Sequence, residues 1–276
     1  MNKSSDYKIY NMKIWNEIAP RYQKRWIGAK TGPFQSGDVL VDMMNFSAND
    51  KVLDVACGTG VITARIVKKV RNGMVVGGDT SITALKLAKR KIPNAHFVNM
   101  DAENFRFSES FDAVTCQFGL FFFPNAQKAL RNMKSCLRKG GRLGVTVHGE
   151  KYGSPYFSSI MKEITQFIPD YMNNGSPDLA RFGTKKALRE EMKRAGFERI
   201  KVKDIIYQYS PGTFDDYWKN YTKYIAKPLR QKMNKLSRNE KIELKSRVEN
   251  NTKRFTNKTG KITFPWQILI VSTEIH

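Results

Sequence analysis

The chain has 276 residues, 41% of them hydrophobic, and 48 Lys and Arg against 25 Asp and Glu give it a formal net charge of +23. That length suits one large domain or a core with a cap, and the longest apolar runs, 119–124 and 264–271, are too short to cross a bilayer as helices. A mean hydropathy of −0.50, first residues without an apolar signal core, and three cysteines without metal-ligand spacing lead to the expectation of a soluble cytoplasmic protein with no metal site.

In chain order, Tyr10, Ile14, Trp15 and Ile18 have helical spacing, and the pattern ends at Ala19-Pro20-Arg21-Tyr22. From Asp50 the chain alternates. Residues 52–60 read Val-Leu-Asp-Val-Ala-Cys-Gly-Thr-Gly, a buried strand at 52–56 running into a tight turn, and Val61, Ile62, Ala64, Ile66 and Val67 predict a helix over 61–70. Gly58 and Gly60 let the backbone bend and approach a ligand, with turn N–H groups and the helix N-terminus facing whatever binds at the strand's carboxyl end. Strand 73–79 ends at Asp79, 19 residues after Gly60, where a carboxylate reaches a ribose diol in nucleoside-binding α/β folds. Helix 81–92 follows, with Thr80 or Ser81 as its cap. Strand 95–100 runs into Asp101. Strand 112–117 leads to a helix over 124–138, opened by Pro124 and closed by Lys139-Gly140-Gly141, and strand 142–148 ends at His148. Such alternation implies a parallel sheet with helices on both faces. An NAD-binding fold would want G-x-G-x-x-G, and the residue three past Gly60 is Thr63.

Past His148 the regularity lapses. Residues 150–182 are rich in Gly, Ser, Pro and Asn, with Tyr152, Tyr156, Phe157, Phe167 and Tyr171 among them. Helix 184–195 ends at Gly196, strand 199–208 follows, and the last strand comes only at 262–273. Between them, Phe214, Tyr217, Trp218, Tyr221 and Ile225 share a helical face, Pro228 breaks the run, and Ser237 and Glu240 form a capping-box pattern. Unstructured connections of that length inside a domain are functional or disordered. Lys219 to Lys258 holds 13 Lys and Arg against 3 Glu, a local net charge of +10. Such a segment favours nucleic acid or an anionic membrane surface; a solvated Lys-rich helical face is the simpler alternative. The expected units are an N-terminal helical segment (1–49), a core (50–149), a cap insertion (150–182), a core continuation (183–210), a basic helical cap (211–258) and the last core strand (259–276).

Asp54 with Gly58-Thr59-Gly60, then Asp79, then Asp101-Ala102 resemble the successive cofactor motifs of class I S-adenosylmethionine-dependent methyltransferases. The likeness is closest to the small-molecule branch containing the ubiquinone and menaquinone biosynthesis enzymes, and it covers roughly residues 12–149. It implies an α/β fold, doubly wound, with a mostly parallel seven-stranded sheet, a terminal antiparallel hairpin and helical cap insertions. It implies S-adenosyl-L-methionine as cofactor. On that resemblance the backbone from Ala56 through Gly58 to Gly60 approaches the aminocarboxypropyl arm, and Asp54 orients the turn or, through water, the cofactor amine. Asp79 accepts both ribose hydroxyls, Asp101 accepts from the adenine amino group, and the Ala102 N–H donates to a ring nitrogen. Tyr22 lies near the methionine moiety, and Thr80 and Gln117 complete the cofactor-binding set.

Gln117-Phe118-Gly119-Leu120 and the following Phe121-Phe122-Phe123 stand where the family borders the acceptor. The Asp/Asn-Pro-Pro-aromatic tetrad of amino-methylating nucleic-acid enzymes is missing there, and an aromatic rim suits a hydrophobic or aromatic acceptor. His148, with Glu150 two residues on, is the candidate general base, because histidine titrates near neutrality; a histidine hydrogen-bonded at a strand end is the alternative. The expectation is a methyltransferase for a small, aromatic or lipid-like acceptor, with peripheral contact to an anionic membrane. The alternative is an RNA methyltransferase whose basic insertion holds phosphate.

Overall fold

The computed structural model describes residues 3–26, 32–169, 177–224 and 227–275; Tyr171 and Ile225 lie outside them. Seven strands make one sheet: β1 (Lys51–Val55), β2 (Met74–Asp79), β3 (His96–Asn99), β4 (Phe111–Gln117), β5 (Leu137–His148), β6 (Glu198–Gly212) and β7 (Ile262–Glu274). Their order is β3-β2-β1-β4-β5-β7-β6. The first five run parallel, and β7 is antiparallel to both β5 and β6, so the doubly wound sheet with a terminal hairpin is present.

Alternate residues of each strand face opposite layers. Val52 of β1 and Ile268 and Ile270 of β7 join a core with α2 (Ser36–Met44), α3 (Val61–Lys69), α6 (Pro155–Phe167) and α10 (Arg238–Thr252). Leu53 and Val55 of β1 and Leu143, Val145 and Val147 of β5 face the other way, onto α5 (Ala126–Ser135) and α7 (Lys185–Arg194). Gly144 lets α2 sit close, since a Cβ there would meet Met44 Sδ at 2.5 Å.

Several boundaries differ from the sequence reading. α1 (Lys3–Trp26) continues through Pro20. Pro20 stands on the exposed face of the helix, while buried Ala19 and Gln23 hold the other face down. Asn16 Oδ1 also accepts from Ser81 Oγ and Thr83 N–H, pinning α1 to α4 (Ile82–Lys91). Pro124 stands outside α5, whose cap is Asn125, accepting from Lys128 N–H at 2.9 Å. α5 ends at Ser135, and Lys139-Gly140-Gly141 belongs to β5: Leu137 pairs with Phe111, and Gly140 N–H donates to Ile275 O at 2.9 Å. A φ of +72° at Gly140 makes a bulge in the strand where a helix stop was expected. β6 runs on to Gly212, into the segment assigned to the insertion.

Both inserted segments are helical and knit together. The second carries α8 (Phe214–Tyr224), α9 (Lys227–Lys235) and α10, which opens with the expected capping box. Asn251 Nδ2 on α10 donates to Ser159 O and Glu163 Oε1 of α6, and Tyr217 OH on α8 donates to Tyr156 O at 2.6 Å. Lys219, Lys235, Arg238, Lys241, Lys253, Arg254 and Lys258 are exposed, while Tyr217 and Tyr221 are buried. Among the described residues no helix is long and apolar enough to cross a membrane.

Candidate active site

The parallel strands end at a common edge, where a cavity of about 570 Å³ opens beneath α1. This is where open α/β sheets bind ligands. The lining divides by chemistry. Asp54, Asp79, Asp101 and Glu103 stand at one end; Phe118, Phe121, His148, Phe157 and Trp266 stand at the other.

At the acid end, Asp54 leaves β1 fully buried. Thr63 Oγ1 donates to its Oδ2 at 2.6 Å and Thr115 Oγ1 to its Oδ1 at 2.8 Å. Burial raises its pKa to about 6 against the pull of those two hydroxyls, and the Asp79 carboxylate adds to the rise. Asp79 is raised too, chiefly by burial, while its Oδ2 accepts Gly58 N–H and its Oδ1 accepts Ser81 N–H, both at 2.8 Å. Ser81 caps α4 through Ala84 N–H, and Thr80 is left exposed on the cavity rim. A Cβ on Gly58 would meet nothing within 4 Å. Ala56 (φ +56°) and Phe118 (φ +54°) hold left-handed conformations at the ends of adjacent strands, and such strain collects at ligand sites.

Lys8 of α1 reaches across the cleft. Its Nζ donates to Asp101 Oδ2 at 2.8 Å and Glu103 Oε2 at 2.7 Å, and Asp101 Oδ1 accepts Glu103 N–H at 2.9 Å. Ala102 is buried beside them, its carbonyl accepting from Asn132. Gln117 Nε2 donates to Ser36 Oγ at 3.0 Å. Its Oε1 and the Thr59 Oγ1 are buried with no hydrogen-bond partner among the described residues. Tyr22 lies on the cavity edge-on to Trp15 and Phe34, its hydroxyl pushed well above its ordinary pKa by burial.

At the apolar end the His148 ring stacks on Phe118 at 4.6 Å and 12°. His148 pairs with Ile268, so Trp266, two residues earlier on antiparallel β7, crosses beyond it. Trp266 Nε1–H donates to His148 Nδ1 at 3.1 Å. Trp266 in turn stacks on Tyr156 at 5.0 Å, the residue whose carbonyl anchors Tyr217.

A family model described as a methyltransferase domain matches residues 52–141. The demethylmenaquinone methyltransferase of Staphylococcus haemolyticus is 31% identical over 181 residues, 59% of this chain and 74% of that protein. The chain belongs to the class I S-adenosylmethionine-dependent methyltransferases. The ubiquinone/menaquinone biosynthesis C-methyltransferase of Proteus mirabilis is 31% identical over 170 residues, 55% of this chain and 68% of its own. The solved phosphoethanolamine N-methyltransferase 2 of Haemonchus contortus shares the fold with a TM-score of 0.59 at 15% identity, over 94% of this chain and 57% of that one. A S-adenosylmethionine-dependent methyltransferase from Thermotoga maritima does so with a TM-score of 0.55 at 16% identity, over 96% and 99%. The cofactor of this methyltransferase is S-adenosylmethionine.

The cleft gathers Tyr22, Asp54, Ala56, Gly58, Asp79, Thr80, Asp101, Ala102, Gln117 and His148. Gly60 is outside it. Its N–H donates to Cys57 O at 2.9 Å, and a Cβ there, at φ +82°, would meet Ile92 Cδ1 at 2.5 Å; this glycine serves helix packing and the turn. Cys57 N–H and Gly58 N–H are likewise engaged, by Gly78 O and Asp79. His148 reaches the cavity, yet two observations weigh against proton abstraction. Burial lowers its pKa to about 3, and its Nδ1 lone pair already accepts from Trp266. Lys8, Phe34 and Trp266 escaped the sequence reading. For Trp266 a signal existed: an indole on a strand face whose neighbours, Phe264 and Ile268, offer no acceptor needs a partner for its N–H.

Proposed function

We propose that this methyltransferase acts on a small aromatic or lipid-like acceptor. The observation that carries the reading is the apolar end of the cavity, walled by aromatic rings, while Lys8, held at the acid end by Asp101 and Glu103, is the one Lys or Arg among all the described lining residues. An enzyme tracking phosphate would want cations there. The relatives named for demethylmenaquinone and for ubiquinone/menaquinone biosynthesis support the same class.

The acid end fits the cofactor: its carboxylates suit hydroxyl and amine donors, the cradle at Gly58 leaves room for close approach, and Gln117 Oε1 lacks a partner among the described residues. In this reading Asp79 takes the ribose hydroxyls, Asp101 and Ala102 the adenine edge, and Thr80 the rim. Asp54, Ala56, Gly58, Tyr22 and Gln117 surround the aminocarboxypropyl arm. When bound, the cofactor supplies an electrophilic methyl group on a sulfonium. The chain's contribution is to exclude water with the aromatic wall and hold the acceptor in line. The exposed lysines and arginines of the cap suit contact with an anionic surface from which a lipid-like acceptor is drawn.

The test supplies methyl-labelled cofactor with isoprenoid quinol precursors, simple phenols, a lipid extract and bulk RNA in parallel. Label should appear in an apolar product. Label in RNA alone sinks the proposal.

A further inference from the structure

The reading so far gives no work to the buried imidazole of His148, a polar group set in the apolar wall. An indole N–H can only donate. Because Trp266 Nε1 lies 3.1 Å from His148 Nδ1, Nδ1 is the acceptor and the neutral ring carries its hydrogen on Nε2. Phe118 stacked on the ring, with Phe121 and Phe157 beside it, fixes its plane. Nε2 makes no hydrogen bond within the described protein, the ring lines the cavity, and Nε2 is not among the sealed polar atoms. The charged groups of the cavity, Lys8 and the four carboxylates, stand at its other end, and the residues in ring contact with His148 are all uncharged.

We propose that His148 Nε2–H donates a hydrogen bond to an oxygen of the methyl acceptor, so that the acceptor is an apolar, aromatic molecule with a hydroxyl or phenolate oxygen. No proton passes to the ring. The bond orients the bound oxygen and favours its anionic form, the hydroxyl proton leaving to water, and Trp266 acts as a positioning residue by holding the tautomer. Burial, which keeps the ring neutral, agrees with donation at all pH values near neutrality. The inference rests on the apolar-acceptor reading and sharpens it.

The experiment titrates the S-adenosylhomocysteine-loaded protein with 2-naphthol and with naphthalene, a pair differing by one oxygen. His148→Phe keeps the stack and removes the donor. It should weaken 2-naphthol binding by roughly three- to tenfold, the range of one hydrogen bond, and leave naphthalene binding unchanged. His148→Gln, which restores an N–H, should recover part of the loss. Equal losses for both ligands, or none, overturn the inference. If wild-type protein binds naphthalene but gains nothing from the hydroxyl, the inference fails and the apolar-acceptor reading stands. If it binds neither, both fail. Nitrogen-15 NMR of the wild-type imidazole needs no variant to fold: a neutral ring protonated at Nε2 from pH 5 to 8 is expected, and a hydrogen on Nδ1 or a midpoint near 6.5 refutes the assignment.

Discussion

Replacing Asp54 by Asn should make the cofactor-free protein more stable. In the folded chain burial lifts this carboxyl from an ordinary 3.8 to about 6. A shift of about two units corresponds to about 3 kcal/mol. The sign follows from proton counting. Between those two values the folded state holds more protons than the unfolded one, so stability from this group is complete below pH 4 and is lost as pH rises through 6. At pH 7.5 the wild-type chain therefore bears nearly the whole penalty. Asn carries no charge, and its amide still meets the Thr63 and Thr115 hydroxyls, which donate or accept. Part of the gain is forfeited with the charge-assisted hydrogen bonds, which leaves an expected net of about 1–3 kcal/mol. Urea denaturation at a series of pH values measures it. The advantage of Asp54→Asn should shrink steadily as pH falls from 7 towards 4, while its S-adenosylmethionine affinity at pH 7.5 drops, since an uncharged amide no longer faces a cationic ligand. A variant that is destabilised at every pH, or whose advantage does not change with pH, would refute the reasoning.

Asp79→Ala should weaken S-adenosylhomocysteine binding by about 1–3 kcal/mol in calorimetry, through lost charge-assisted hydrogen bonds; undiminished affinity removes Asp79 from the ribose site. Gly60→Ala should cost about 2–4 kcal/mol in denaturant unfolding, from a left-handed φ and the collision with Ile92, and a stability change within about 0.5 kcal/mol would contradict the packing role given to that glycine. Vesicles containing anionic lipid should retain the protein at low salt and release it as salt rises, because the exposed cations of the cap are screened; equal retention by neutral vesicles would dismiss the electrostatic explanation.

The sheet was legible because parallel strands are buried on both faces, so 52–55 and 74–78 read as apolar runs whose acids, Asp54 and Asp79, mark the ligand edge. What failed locally did so through tertiary contact. Pro20 signals a stop that Asn16, bonded to the start of α4, and the buried Ala19 override. Lys139-Gly140-Gly141 looks like a helix end until Ile275, 135 residues downstream of Gly140, supplies its hydrogen bond. The site followed the same rule. The strand-end carboxylates could be placed from neighbouring residues alone. The state of His148 depends on Trp266, 118 residues away, and Asp101 acquires Lys8 from 93 residues upstream. Neither pairing leaves a periodic trace.

Translation proceeds from the amino terminus, and β7 is made after β6 yet lies between β5 and β6. Until residues 262–274 leave the ribosome, β6 has no place in the sheet and the edge of β5, with Val145 and Val147, has no neighbour on that side. An incomplete chain thus presents an unpaired apolar strand edge, the feature that invites association with other chains. The helical cap is synthesised before the strand that supplies Trp266, so the acceptor wall is the last part of the cavity to form. Yield in cells should accordingly be most sensitive to lesions in β7, and there chaperone dependence would be expected to concentrate.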